Sequence, residues 1–190
     1  VLNDIQALPI RNLKETSAPD ISGITGERFD EDTLLRNQAC SGCPVGCIHL
    51  GFVRSRFHDD HRYFFRQVSY DHEPIFAVGA MLGVTNCFQV LELIDATEKM
   101  GLDVMSAGVA LAWAAEATEK GVISEQETIV PLKFGESQNF ETALHHLGRG
   151  TNDFFRLLAQ GAGKAAAHYG GQDYACILGQ EMGGDATREA

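Results

Sequence analysis

The sequence has no run of about 18 apolar residues, so no segment reads as a membrane-spanning helix. It has no excess of positive charge: 15 Lys and Arg stand against 26 Asp and Glu, a formal net charge of −11. Nucleic-acid binding needs a cationic footprint, and this balance argues against that class of partner. It has no basic stretch followed by an apolar one that would resemble a signal peptide, and it opens on Val1 rather than methionine. That start reads as a processed terminus or as a segment of a longer protein, and the second is preferred. There is no internal repeat and no low-complexity tract. What remains is ordinary globular material, 44% hydrophobic and 22% charged over 190 residues, enough for one domain with a real core.

Strand signals are also scarce, limited to Ile129–Leu132 and Tyr174–Ile177. Residues 1–30 are punctuated by Pro9, Pro19, Gly23 and Gly26 and read as extended loop. Asp30–Ala39 reads as a short helix capped by Asp30 or Asp32. Phe52–Gln67 is rich in Arg, His and aromatics and shows no assignable period. Beyond it the helical period takes over. Cys87–Met100 carries Phe88, Leu91, Ile94 and Ala96 on a stripe, with Gly101 placed to end it in the left-handed conformation. Ser106–Lys120 is Ala-rich and stops at Gly121. Phe140–Leu147 is shorter, and Asn152–Tyr169 reads as one long helix ended by Gly170-Gly171. The expected fold class is mainly α.

The five cysteines are Cys40, Cys43, Cys47, Cys87 and Cys176. The count is odd, and three fall within eight residues, which suits a reduced metal-binding loop better than a disulfide framework. The run Cys40-Ser-Gly-Cys43-Pro-Val-Gly-Cys47 offers soft thiolates with two glycines that let the backbone wrap closely. A cubane 4Fe-4S cluster takes four thiolates, so this loop fills three corners and the fourth comes from elsewhere. A zinc site with His49 as its fourth ligand is the alternative, though zinc usually takes two separated pairs. Unligated thiols are the third reading. Cys87 and Cys176 sit in apolar runs and read as small core residues.

Four segments in order resemble the tungsten-containing aldehyde:ferredoxin oxidoreductase family. They are the Cys40–Cys47 loop with Pro44, the run Tyr70-Asp-His-Glu-Pro-Ile-Phe-Ala-Val-Gly79, the run Gly101-Leu-Asp-Val-Met-Ser-Ala-Gly108, and Leu157–Gly161 followed by Gly179–Met182. The likeness implies a helical domain resembling the family's second domain over residues 30–183. It implies an extended leader from a preceding domain over 1–29 and a linker toward a last domain over 184–190. It also implies a fragment of a longer chain, cytoplasmic, whose absent last domain holds the fourth cluster cysteine.

The same resemblance implies the chemistry. A tungsten (or molybdenum) bis-pterin exchanges two electrons with an aldehyde or acid, and a 4Fe-4S cluster on Cys40, Cys43 and Cys47 passes them to ferredoxin or an electron-transfer subunit. Glu73 is implied as the base near the metal, its bland alternative being a helix-start residue before Pro74. His72 is implied as a proton donor in a reductive variant, or else as a hydrogen-bonded histidine. Adjacent residues on a regular element point different ways, so a turn is needed for both to reach one site. Glu98, Gly101, Leu102 and Asp103 match the family's pterin-binding motif, with Glu98 replacing its usual Asp; alternatively Gly101 ends one helix and Asp103 starts the next. Glu92, with His145 or His146, falls where some members hold a cation such as Mg between two subunits of a homodimer. His58-Asp59-Asp60-His61 reads as a solvated loop or a wall of a substrate funnel. The alternatives on function are a reductase of aromatic acyl-CoA rings on the same cofactor, and a non-catalytic iron–sulfur subunit.

Overall fold

The computed structural model describes residues 3–58, 62–177 and 180–181. Among them the chain forms α1 (Gly26–Asp32), β1 (Leu34–Gln38), β2 (Ile48–His58), β3 (Arg62–Tyr70), α2 (His72–Val78), α3 (Cys87–Lys99) and α4 (Val104–Glu119). These are followed by α5 (Glu125–Thr128), α6 (Ser137–Arg149), α7 (Asp153–Leu158), α8 (Ala162–Tyr169), β4 (Cys176–Ile177) and β5 (Gln180–Glu181). The helices carry the fold, as the periodicity predicts. The three-stranded antiparallel sheet β1-β2-β3 is an addition to that expectation.

The body is built around α4. Its alanines leave no polar face over the middle turns, and Ala107 through Ala117 are buried on every side, the pattern of a helix enclosed by others. Gly108 explains how α2 reaches it: a Cβ there would lie 2.4 Å from the Ala77 carbonyl oxygen, so only glycine lets the two helices cross this closely. Trp113, also on α4 and fully buried, donates its indole N–H to the Gly171 carbonyl at 3.2 Å, pinning the segment after α8. Asn86 caps α3 by accepting from the N–H groups of Phe88 and Gln89. No single helix among the described residues is long and apolar enough to cross a membrane.

Residues 3–25 are not a free extended loop. Ile10, Leu13, Ala18 and Ile21 are buried in the same core as the helices. Arg11, Asn12 and Leu13 all take left-handed backbone, φ 52°, 56° and 58°. Each such non-glycine residue costs roughly 1–2 kcal/mol. Tertiary bonds hold them there: Arg11 and Asn12 donate their N–H groups to the carbonyls of Ala80 and Met81 at 2.9 and 3.0 Å.

The helix expected over Asp30–Ala39 is displaced. Thr25 accepts from the Arg28 N–H and starts α1 earlier, so Asp30 and Asp32 close a helix instead of opening one. Leu34–Gln38 then pairs with β2, a partner that local propensity does not reveal. The unassigned stretch Phe52–Gln67 forms most of the β2–β3 hairpin. Its alternation is hidden because only the end near the body has a buried face, at Val53, Val68 and Tyr70.

The single helix expected over Asn152–Tyr169 is two, broken where Gly161 takes φ 113°, a conformation side chains resist. Ile129–Leu132 is no strand: Ile129 takes φ 65° behind α5, in a rare and strained region for a β-branched residue. Of Tyr174–Ile177, Tyr174 ends a 3-10 turn and only Cys176–Ile177 is strand.

Candidate functional site

Cys40, Cys43 and Cys47 lie on the loop joining β1 to β2, and all three thiols are free and exposed. A turn closes the loop, with the Cys43 N–H donating to the Cys40 carbonyl at 3.0 Å. Gly42 and Gly46 take φ 76° and 59°, and a Cβ on either would meet nothing within 4 Å. The glycines are therefore required for the chain path and leave open space beside the thiols. Among the described residues no group of three His, Cys, Asp or Glu is gathered as a metal site. The three thiols share one loop. Three accessible soft donors on a wrapped loop nevertheless fit an iron–sulfur cluster as a donor set.

Cys87 is elsewhere in character. It is buried at the start of α3, and burial pushes its thiol up, with Asp32 adding to the rise. It is a protonated core thiol, as its apolar surroundings in the sequence suggest. Cys176 lies in β4, and its side chain is outside the described residues.

Between α1, the start of β2, the end of β3 and α2 is a cavity of about 250 Å3, lined in part by Asp30, His49, Tyr70, Asp71, His72 and Ile75. A second, of about 270 Å3, shares His72 and Ile75 and extends to Ile21 and Phe76. The strand–helix junction makes this wall. Tyr70 ends β3, Asp71 is extended, and His72 begins α2. Tyr70 leans across Gly51, where a Cβ would stand 2.9 Å from the ring, and its phenol is kept protonated by burial. His49 stacks on that ring with centroids 5.3 Å apart, and its Nδ1 is buried without a hydrogen bond among the described residues. His49, the fourth ligand of the zinc alternative, thus lies on the cavity wall against Tyr70. Desolvation raises the Asp71 carboxyl, and so does the charge of Glu73, while His49 and His72 pull it down.

His72 lines both cavities, whereas Glu73, its exposed neighbour in the first turn of α2, lines neither. The two adjacent candidates are held on one turn but turned to different surroundings. His49 and Asp30 were not singled out for this wall; Tyr70 and Asp71, inside a recognised motif, were the available signal.

The pterin-motif residues form a helix junction. Gly101, at φ 69°, donates its N–H to the Glu98 carbonyl at 2.9 Å, and Leu102 donates to Thr97 at 3.2 Å, a complete Schellman stop. Asp103 accepts from the Ser106 N–H at 2.7 Å and caps α4. The backbone donors of Gly101 and Leu102 are thus used within the fold. Glu98 and Asp103 remain exposed beside open space over Gly101. Partial desolvation against the helix junction, then the charge of Asp95, raises the Glu98 carboxyl. Two carboxylates flanking an open turn can accept from a ring rich in N–H groups, so these acceptors fit a pterin in kind.

The cation expected at Glu92 lies between two subunits, and within this one chain its candidate ligands have other partners. The Glu92 carboxyl is raised by burial and by Glu141, and Arg66 and Ser55 oppose that. His145 contacts the Met100 sulfur at 3.3 Å, and His146 bonds Thr151 and stacks on Phe155. Among the described residues no group of three His, Cys, Asp or Glu that could hold a metal ion forms here. Of His58–His61, the residues Asp59, Asp60 and His61 lie outside the described residues.

Residues 1–190 match the family model described as aldehyde ferredoxin oxidoreductase, domains 2 and 3. The tungsten-containing aldehyde ferredoxin oxidoreductase of Pyrococcus abyssi is 25% identical over 178 residues, covering 92% of this chain and 28% of that protein. Its counterpart in Pyrococcus furiosus is 26% identical over 172 residues, covering 90% and 27%. The aliphatic sulfonate oxidoreductase, WOR-like subunit, of Pyrococcus furiosus is 26% identical over 165 residues, covering 86% and 26%. Among solved structures, the active-site complex BamBC of benzoyl coenzyme A reductase with 1,5-dienoyl-CoA superposes with a TM-score of 0.58 at 22% identity, covering 78% of this chain and 21% of that one. The chain therefore spans little more than a quarter of the length of the curated relatives it matches, and across its whole length it belongs to the aldehyde ferredoxin oxidoreductase family.

Proposed function

We propose that this chain is the cluster-holding and pterin-facing part of a tungsten oxidoreductase that interconverts aldehydes and carboxylic acids and hands electrons to a ferredoxin-type carrier. One observation carries the reading: the chain matches the family model throughout, and its three clustered thiols stand exposed on a glycine-shaped loop. When bound, a tungsten bis-pterin would supply two-electron exchange with a carbonyl carbon, and a 4Fe-4S cluster would pass the electrons on singly.

The chain's own residues then have definable tasks. Cys40, Cys43 and Cys47, as thiolates, hold three corners of the cluster. Glu98 and Asp103 accept hydrogen bonds from a pterin ring beside Gly101. Glu73, exposed in the first turn of α2, takes the proton released when an oxygen nucleophile adds to the carbonyl. Apolar Ile21, Ile75 and Phe76 exclude water from the cavity that His72 borders.

The test is metal analysis of the full-length protein purified without oxygen, paired with aldehyde-dependent dye reduction. Tungsten, pterin and about four irons per chain with activity support the reading. Iron without tungsten makes the protein an electron carrier. A second reading follows from the placement of His72 rather than Glu73 on the cavity walls. A cavity-facing imidazole can deliver a proton, which suits reduction of an aromatic acyl-CoA ring. Turnover with an aromatic acyl-CoA and none with aldehydes would select it.

A further inference from the structure

The sheet is the cationic part of an acidic chain. Its strands carry Arg36, Arg54, Arg56, Arg62 and Arg66 and no Asp or Glu, although the chain holds 26 acids. Directly opposed residues share a face, so the register sorts the side chains. One face, with Gly51, Val53 and Val68, turns to the body, and there Arg66 is spent on Asp95 of α3 at 3.1 Å. The other face presents Arg36, Phe52, Arg54, Tyr63 and Phe65. Phe52 and Phe65 stack with centroids 5.9 Å apart, and the Arg54 guanidinium lies 5.0 Å from the Tyr63 ring centre. Phe65 is 55% exposed and Tyr63 41%.

Aromatics and arginine together, with acids excluded, are the composition of an interface core rather than of ordinary surface. A guanidinium laid on a ring keeps its N–H edge available to a carboxylate. The face is also continuous with the thiol loop. Gln38 pairs with Ile48 at the end of the ladder, so Cys40–Cys47 emerges from the same sheet, with Val45 70% exposed on it. Ile48 to Arg54 spans about 20 Å of strand, less than the width of a small protein.

We propose that this outer sheet face is the docking surface for an acidic electron-carrier protein, steered by Arg36 and Arg54 and anchored on Phe65 and Tyr63. The proposal rests on the reading of the cysteine loop as a cluster site. Each docked carrier accepts one electron into its own oxidised iron–sulfur centre and no covalent bond forms between the proteins; one aldehyde and one water give one acid, two protons and two reduced carriers.

The experiment uses the full-length protein without oxygen and an acidic 4Fe-4S ferredoxin as probe. Wild type, Arg54→Glu, Arg36→Glu and Phe65→Ser are compared for reduction of ferredoxin and of a small viologen dye. Binding of oxidised ferredoxin is measured separately by calorimetry at low and high salt. Each variant is expected to raise the ferredoxin KM about tenfold or more, as loss of interface charge or anchor does, with dye turnover and iron content unchanged. Binding should weaken as salt rises. An unchanged ferredoxin KM overturns the proposal. So does binding of single-stranded RNA in place of ferredoxin, or loss of dye turnover and folding in all variants, which would mark the face as buried against another part of the protein. Calorimetry reads docking directly, so a wild type without cluster or dye activity would defeat the proposed function while still deciding this one.

Discussion

The side-chain amide of Asn12 donates to Glu116 Oε2 at 2.7 Å and to the Tyr174 carbonyl at 3.0 Å, tying the left-handed turn near the N-terminus to α4 and to the segment after α8. Both side chains are buried, and Lys120 takes the other Glu116 oxygen at 3.0 Å. Replacing Asn12 by Ala strands part of a buried carboxylate and removes a residue that tolerates left-handed backbone. The expected loss is about 2–3 kcal/mol of unfolding free energy, read by urea denaturation. A loss below about 0.5 kcal/mol, the level of an ordinary surface change, would show that the turn is held without it.

The cysteines separate into two kinds, and substitution should separate them again. Cys40→Ser, Cys43→Ser and Cys47→Ser are each expected to lower the iron content of the anaerobically purified full-length protein. Cys87→Ala should leave iron unchanged and cost roughly 1 kcal/mol by emptying a small core volume. Iron loss on changing Cys87 would make that buried thiol a ligand and refute the division.

Glu92 gives a pH signature. Its folded-state pKa is raised, chiefly by burial and then by Glu141. A carboxylate raised in this way is most compatible with the fold when protonated. Its contribution is present below the unfolded pKa and is lost as pH rises through the folded one. Glu92→Gln should therefore match wild type near pH 4 and exceed it at neutral pH, by less than about 1 kcal/mol because Glu92 is partly solvated. Equal stability at all pH values would show that Arg66 and Ser55 cancel the effect.

Glu73 and His72 can be told apart by rate. In the full-length enzyme, Glu73→Gln is expected to cut aldehyde turnover about a hundredfold or more with tungsten and iron intact, the size of effect removal of a general base has. His72→Gln should instead shift the pH profile. Near-normal turnover of the Glu73 variant would leave the base to another group.

Legibility followed the range of the interactions. The thiol loop and the stops at Gly101 and Gly121 are set by neighbours in the chain and read directly. The placement of β1 was not readable, because Leu34–Gln38 becomes a strand only through β2. The hairpin hid itself by carrying aromatics and arginine on an unburied face. Residues 3–25 looked like loop because their order comes from bonds to Ala80, Met81 and Glu116, far along the chain. At the site, Tyr70-Asp71-His72-Glu73 was visible as a unit. Which of its side chains meets the cavity depends on where α2 starts, because adjacent helical residues point in different directions.

Trp113 is the single tryptophan of the sequence, and its indole is sealed in α4 with its N–H on Gly171. The protein therefore carries an intrinsic fluorescent reporter at the joint between its central helix and the segment after α8. A red shift of the emission marks water reaching that joint. Release of this segment ahead of the helical body would separate fluorescence from circular dichroism in a denaturation curve, with no label attached.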